Sequence, residues 1–319
     1  MPEFGYTLSS EEHAPADLVR HARRAESAGF DFASISDHFH PWVSAQGHSP
    51  FVWSVLGAIA ASTERMRVGV GVTCPIMRIH PAVVAQAAAT TSLLFEGRFF
   101  LGLGTGEALN EHVVGQRWPP HRVRLEMLAE AVGVMRALFT GDTVEHRGTH
   151  FEVDNAKLFD PPVDDVPLII SGFGSDAAGL AGRIGDGYWG NAPERELLDA
   201  FARNGGTGPR YAQLNVCWAA TREEARQTVH EVWPNTAVPG QLSQDLPTWT
   251  HFEQAAQIVT EDDATQHVPC GPDIAGEVVK SVRQYLDAGY DHLYFHQIGG
   301  DQEGFVRYWE SDLREAVAA

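Results

Sequence analysis

The chain alternates between two hydrophobic rhythms. Short runs that are apolar at nearly every position are followed by longer segments whose apolar residues recur every three or four places. The first kind reads as strands buried on both faces, the second as amphipathic helices. Phe4–Leu8 opens the series. Pro15–Gly29 follows, with Leu18, Val19, Ala22, Ala25 and Ala28 on one helical face and Gly29 as a natural stop. Phe32–Ser36, Met66–Val72 and Arg98–Leu103 read as further strands, and Phe51–Thr63, Pro81–Leu94 and Leu125–Phe139 as helices. Val144–Val153 reads as a small β-hairpin around Arg147-Gly148. In the second half the strands are Pro167–Ser171, Asp186–Trp189, Gln213–Ala219 and His292–Phe295. The helices there are Ala177–Ile184, Glu194–Ala202, Arg222–Val232, Asp273–Ala288 and Glu303–Val317.

Alternation of this kind predicts a parallel sheet, and about eight strand–helix units are the number that closes a (β/α)8 TIM barrel. A doubly wound open sheet is the runner-up. No Pro-, Gly- or Ser-rich linker divides the chain, so one domain over residues 1–319 is expected. Pro234–Gly271 has no strong period and holds Pro239, Pro247 and Pro269. It reads as an insertion before the last strand, of the length that serves as a lid or binding loop.

The end of the second strand breaks the apolar pattern. Ser36, Asp37, His38, His40 and Trp42 gather where a buried strand surfaces. In a barrel of this type the active site lies at the C-terminal strand ends. An imidazole titrates near neutrality and can take a proton there. Glu107, behind the fourth strand, is a carboxylate on the facing rim that can return one. Trp42 offers a flat wall and one N–H donor. Capping or a plain polar network would explain either cluster alone, but two clusters at two strand ends favour chemistry. Gly102, Gly104 and Gly106 permit a tight turn and close ligand approach, although the spacing is not the dinucleotide fingerprint. Ser171-Gly172-Phe173-Gly174-Ser175 opens a helix and is the better anion cradle.

Charge and cysteine content then narrow the class. The formal net charge is −19, which lacks the basic footprint of a nucleic-acid binder and disfavours an anionic membrane surface. Three unpaired cysteines, Cys74, Cys217 and Cys270, suit a reducing cytoplasm. No signal peptide or membrane-spanning run is visible. Cys74 has no base paired with it in the pattern, and none of the 15 histidines shows metal-ligand spacing, so no metal is expected. His292 and His296 share one side of the last strand, and His296 could reach the barrel mouth.

Five motifs in order carry a resemblance: S-D-H-F-H-P-W (Ser36–Trp42), G-V-T-C-P-I-M-R (Gly71–Arg78), F-L-G-L-G-T-G-E-A-L-N-E (Phe100–Glu111), A-G-R-I-G-D-G (Ala181–Gly187) and H-L-Y-F-H (His292–His296). Together they resemble the luciferase-like flavin and deazaflavin superfamily, on the branch of coenzyme F420-dependent dehydrogenases typified by the glucose-6-phosphate dehydrogenases. The likeness runs from Gly5 to Leu313 and is weakest across Pro193–Gly271. It implies a usually dimeric (β/α)8 barrel holding F420 without covalent linkage. His38 then corresponds to the base for a substrate hydroxyl, Glu107 to the acid that protonates the deazaflavin at N1, and Trp42 to the aromatic residue beside ring and substrate. Asp37, Gly71, Val72, Cys74, Gly106, Asn110, Gly172, Phe173, Gly174 and Ser175 match cofactor-lining positions. Gly71-Val72 matches a non-prolyl cis peptide at the back of the ring.

The departures bear on the substrate. The sugar-phosphate dehydrogenases hold phosphate with two lysines and an arginine. Asn191–Leu197 contains no lysine, Gln266 stands at the second position and only Arg283 matches the third. Losing two ammonium groups in so acidic a chain makes a sugar phosphate a poor substrate. The resemblance therefore implies the same hydride chemistry on an uncharged alcohol or sugar, with Trp42, Gln266 and Arg283 as substrate contacts. Arg195 or Lys280 could restore a phosphate site. An FMN-dependent monooxygenase of the same superfamily is a rival function. A non-enzymatic cofactor-binding barrel is another, against which the intact Asp37, His38 and Glu107 set argues.

Overall fold

The computed structural model describes residues 1–318. Eight parallel strands close into a barrel: β1 (Glu3–Leu8), β2 (Phe32–Ile35), β3 (Arg67–Thr73), β4 (Phe99–Leu103), β7 (Leu168–Ser171), β8 (Gly187–Gly190), β9 (Arg210–Val216) and β10 (His292–Gln297). The first and last strands pair directly, Gly5 opposite Tyr294 and Tyr6 opposite Phe295, which excludes the open sheet. The expected hairpin is present as the antiparallel pair β5 (Val144–Arg147) and β6 (Glu152–Ala156), outside the barrel.

The helices form the outer layer: α1 (Pro15–Ser27), α2 (Val52–Ala60), α3 (Pro81–Leu94), the short α4 (Ala108–Glu111), α5 (His121–Phe139), α6 (Ser175–Ile184), α7 (Arg195–Arg203) and α8 (Arg222–Val232). Their apolar faces pack on the outward side chains of the strands, making one extended core. The expected strand over Gln213–Ala219 begins three residues earlier, at Arg210, and ends at Val216, where Cys217 pairs with the returning insertion instead of extending the barrel.

Alternate strand residues point inward. Phe32, Phe100, Ile169, Trp189, Tyr211 and Tyr294 come from six strands and form a separate buried cluster, an aromatic plug filling the barrel. Phe100 stacks on Tyr211 at 5.1 Å and Trp189 on Tyr211 at 5.0 Å. Gly69 makes room for this plug, since a Cβ there would run into the Phe100 ring. Above the plug the inward positions turn polar, at Ser34, Gln213, Asn215 and His296.

The insertion is helical, contrary to its weak period. After a single 3-10 turn at Pro234–Ala237 come α9 (Leu242–Asp245), α10 (Trp249–Ala256) and α11 (Glu261–Thr265). These helices are too short to show periodicity and rely on local caps, Thr248 for α10 and a capping box of Thr260 with Asp263 for α11. Phe252 packs with Val43, Leu109 and Val238. The insertion then rejoins the barrel through Cys217 N–H to Pro269 O (2.9 Å) and Gly271 N–H to Cys217 O (3.0 Å). After α12 (Ala275–Ala288) and β10, the chain closes with α13 (Gln302–Tyr308) and α14 (Arg314–Ala318). A π-helical turn at Trp309–Leu313 interrupts the single helix expected there, and Trp309 stacks on Phe30 at 4.3 Å.

Replacing Phe100 with alanine leaves a void at the centre of the aromatic plug. The expected loss is about 3–5 kcal/mol of unfolding free energy, read as a fall in the urea midpoint.

Candidate active site

The site is built from the loops behind β1, β2, β3 and β4. His38 sits just past β2 and is held on both nitrogens. Asn110, on α4, accepts the backbone N–H groups of Phe39 (2.9 Å) and His40 (3.2 Å) on Oδ1. That fixes its amide so that Nδ2 faces His38 Nδ1 at 3.1 Å. His38 Nε2 lies 3.3 Å from Glu11 Oε1. The His40 carbonyl, 3.2 Å from Nδ1, supplies a second acceptor. An imidazolium at His38 thus finds an acceptor at each nitrogen, and a neutral ring finds a donor in Asn110. Trp42 closes one side, its ring 5.0 Å from that of His38 and edge-on to Phe252 of the insertion at 5.0 Å.

Glu11 is a functional candidate that the strand-end pattern did not single out. Its side chain is buried, and Oε2 accepts from Ser36 Oγ at 2.6 Å and Ser9 Oγ at 3.1 Å. The polar run Ser9-Ser10-Glu11-Glu12-His13 behind the first strand was the available signal, of the same kind as the one behind the second.

The β3 and β4 loops form a flat bed. β3 carries a register shift between Val70 and Thr73, and the Gly71-Val72 peptide is cis, the conformation the resemblance implied. A Cβ at Gly71 would collide with Ser34 and Trp189. Gly106 has φ +69, and a Cβ there would meet Cys74 and Glu111. Glu107 directly follows, half-buried at the start of α4, and its carboxylate makes no hydrogen bond among the described residues. It is free to meet a ligand. Cys74 is buried, and burial and the charge of Glu111 push its thiol well up, so it packs rather than reacts.

Asp37 is turned away from this bed. Its side chain is fully buried, with Thr73 Oγ1 at 2.6 Å and Arg78 Nη2 at 2.8 Å. Arg78 also reaches Glu111, through its backbone N–H at 2.7 Å and Nε at 3.5 Å. One guanidinium therefore serves two buried carboxylates. Burial raises Glu111 to about 7 against the partial offset of Arg78.

The remaining predicted residues divide. Gly172 packs against Ala177, Gly174 caps α6 in an extended conformation and Phe173 is exposed, so the first-turn amides of α6 open to solvent. A cavity of about 850 Å³ lies over the ends of β8 and β9, walled by α11 and α12. Gln266 lines it and so does Lys280. Arg283 does not; it projects from the exposed face of α12. Arg195 instead reaches Asp287 O at 3.3 Å. Among the described residues, no group of three or more His, Cys, Asp or Glu is placed to hold a metal ion, and no helix is long and apolar enough to cross a membrane.

The model of the luciferase-like monooxygenase family matches residues 1–292. The chain belongs to this luciferase-like family. Among curated relatives, it is 35% identical to the F420-dependent glucose-6-phosphate dehydrogenase of Amycolatopsis mediterranei (strain U-32), covering 100% of this chain and 99% of the relative. It is likewise 35% identical to the enzyme of the same name from Nocardia farcinica (strain IFM 10152), over 99% and 98% of the two chains. A solved F420-dependent secondary alcohol dehydrogenase, in complex with an F420-acetone adduct, superposes with a TM-score of 0.91 at 30% identity, covering 99% of both chains. The luciferase-like barrel of the present chain thus stands between relatives named for a sugar phosphate and one named for a simple alcohol.

The Glu111 carboxyl gives a stability prediction. Its folded-state pKa, about 7, lies above the ordinary 4.5, so the folded protein binds this proton more tightly than the unfolded chain. The associated stabilisation is present below about pH 4.5 and is lost as pH rises to about 7, roughly 3 kcal/mol in all. Urea midpoints measured across that range should fall in the native protein. In Glu111→Gln this component of the decline should be missing.

Proposed function

We propose that the protein is a coenzyme F420-dependent dehydrogenase that oxidises a hydroxyl-bearing carbon. The observation that carries this reading is the paired arrangement of Glu11–His38 on one rim and the unpartnered Glu107 on the other, with the Gly71–Gly106 bed between their loops. The bed suits a planar ring that needs close backbone approach. The amides at the start of α6 suit an anionic tail. Asp37, Gly71, Val72, Cys74, Gly106, Asn110 and Gly172 to Ser175 would surround the cofactor, Asp37 through Thr73 and Arg78 rather than by its own oxygens. When bound, the deazaflavin supplies the hydride acceptor at C5.

His38 takes the hydroxyl proton as the hydride leaves the carbinol carbon. The Glu11 carboxylate and the His40 carbonyl hold the resulting imidazolium. Glu107, in its protonated form, would be the residue placed to supply a proton to the bound ring. Trp42 bounds the space in which the carbinol must lie. The relatives at about one-third identity are named for F420, which favours this cofactor over FMN.

A phosphorylated sugar is the second reading, favoured by the names of the curated relatives. Against it, two of the phosphate-holding positions lack a lysine and Arg283 lies outside the cavity. An uncharged alcohol or sugar is the better substrate.

The test is turnover. A panel of alcohols and sugars should contain members that reduce F420 in the presence of the protein. His38→Ala should lower that rate by roughly 10²–10⁴-fold, with F420 affinity, read by fluorescence titration, unchanged within a few fold. Binding without reduction in either direction would remove the dehydrogenase reading, and full activity in His38→Ala would remove the base.

A further inference from the structure

Glu12 stands next to Glu11 but faces the other way, toward β10. Its Oε1 accepts from His296 Nε2 at 2.7 Å and from Trp233 Nε1 at 2.6 Å, and its Oε2 accepts the Gly299 N–H at 2.7 Å. Burial alone would raise this carboxyl. The hydrogen bond and charge of His296, the charge of His13 and the Gly299 N–H outweigh burial and hold it below the usual range. His296 is buried inside the barrel mouth and lies 3.2 Å, through Nδ1, from Asn215 Oδ1. Gln213 Nε2 donates to the same Asn215 oxygen at 2.8 Å.

These bonds commit one half of each amide. The other halves, Gln213 Oε1 and Asn215 Nδ2, bond to nothing among the described residues, and both side chains line the cavity over β8 and β9. Residues two apart on a strand share a face at a spacing of roughly 7 Å. The mouth therefore presents one acceptor and one donor, held from behind by a buried Glu–His pair. A hydroxyl group both donates and accepts, so an array of hydroxyls matches this pair.

The two arginines of the same cavity are already matched. Arg222 pairs with Glu277 at 2.6 Å, and Arg226 pairs with Glu261 at 2.6 Å and with Asp262. Lys280 is the one cavity cation without an ion-pair partner among the described residues, and Asp263 lines the same wall. A dianionic phosphate would find one ammonium among several carboxylates. A small apolar alcohol would leave the open amide halves unpaired, which a polar site discriminates against strongly.

We propose that the substrate is a neutral, hydroxyl-rich molecule (a polyol or an unphosphorylated sugar) whose hydroxyls away from the reacting carbon are read by Gln213 and Asn215. This assignment rests on the dehydrogenase reading above and narrows it. Glu12 and His296 are positioning residues that hold the two amides in register.

The experiment measures F420 reduction by mannitol, sorbitol and glucose beside 2-propanol and glucose 6-phosphate. At least one neutral polyol or sugar should exceed both comparators by tenfold or more in kcat/KM. Gln213→Leu and Asn215→Leu should each raise KM for it by tenfold or more. His296→Asn should raise KM more than it lowers kcat, whereas a general structural defect would also weaken F420 binding and lower Tm. Preference for 2-propanol or glucose 6-phosphate over every neutral polyol and sugar overturns the assignment and leaves the dehydrogenase standing. So does an unchanged KM in both leucine variants. Absence of F420 reduction by every compound overturns both.

Discussion

Two adjacent carboxylates, Glu11 and Glu12, are buried in the loop behind the first strand, and much of the barrel mouth is arranged to satisfy them. Burying one carboxylate is costly unless it is hydrogen-bonded, and burying neighbours doubles the demand. The chain meets it by splitting the pair. Glu11 turns toward β2 and meets Ser36 and His38. Glu12 turns toward β10 and meets His296, Gly299 and the Trp233 indole. Because β1 lies between β2 and β10 in the closed sheet, one dipeptide sets an imidazole on each side. In the proposed reaction the first imidazole does the proton chemistry and the second orients the amides that read the substrate.

The barrel interior supports this division. Its lower part is a buried, mostly aromatic plug, and its upper part is polar. The bed between β3 and β4 depends on glycines that let the backbone pack closely, Gly71 against Ser34 and Trp189 and Gly106 against Cys74 and Glu111. Below the bed, one arginine shared by Asp37 and Glu111 holds the β2 and β3 loops and α4 together. Phe252 of the insertion packs beside Trp42 over the same mouth.

The alternation of apolar runs and periodic segments made the eight-stranded barrel legible, because buried parallel strands and amphipathic helices carry strong local patterns. His38, Trp42 and Glu107 were legible because polar groups at strand ends violate that pattern. Glu11 and Glu12 left the same kind of trace, but Ser36 and His296, on which they bear, lie 25 and 284 residues away, and no local rule pairs them. The insertion was illegible as helix because each of its pieces spans no more than about two turns. Arg283 was expected to reach the substrate by its place in the motif order; one turn earlier, Lys280 faces the cavity instead. A match in order along a helix does not fix which face a side chain takes.

Following the hydride tests the dehydrogenase assignment most directly. Protein and F420 are mixed without oxygen with the most active alcohol or sugar, deuterated at its carbinol carbon. Deuterium should appear at C5 of the reduced deazaflavin, at a slower rate than reduction by the protiated compound. Deuterium absent from C5, or a reaction that proceeds with FMN and oxygen but not with F420, would contradict the assignment.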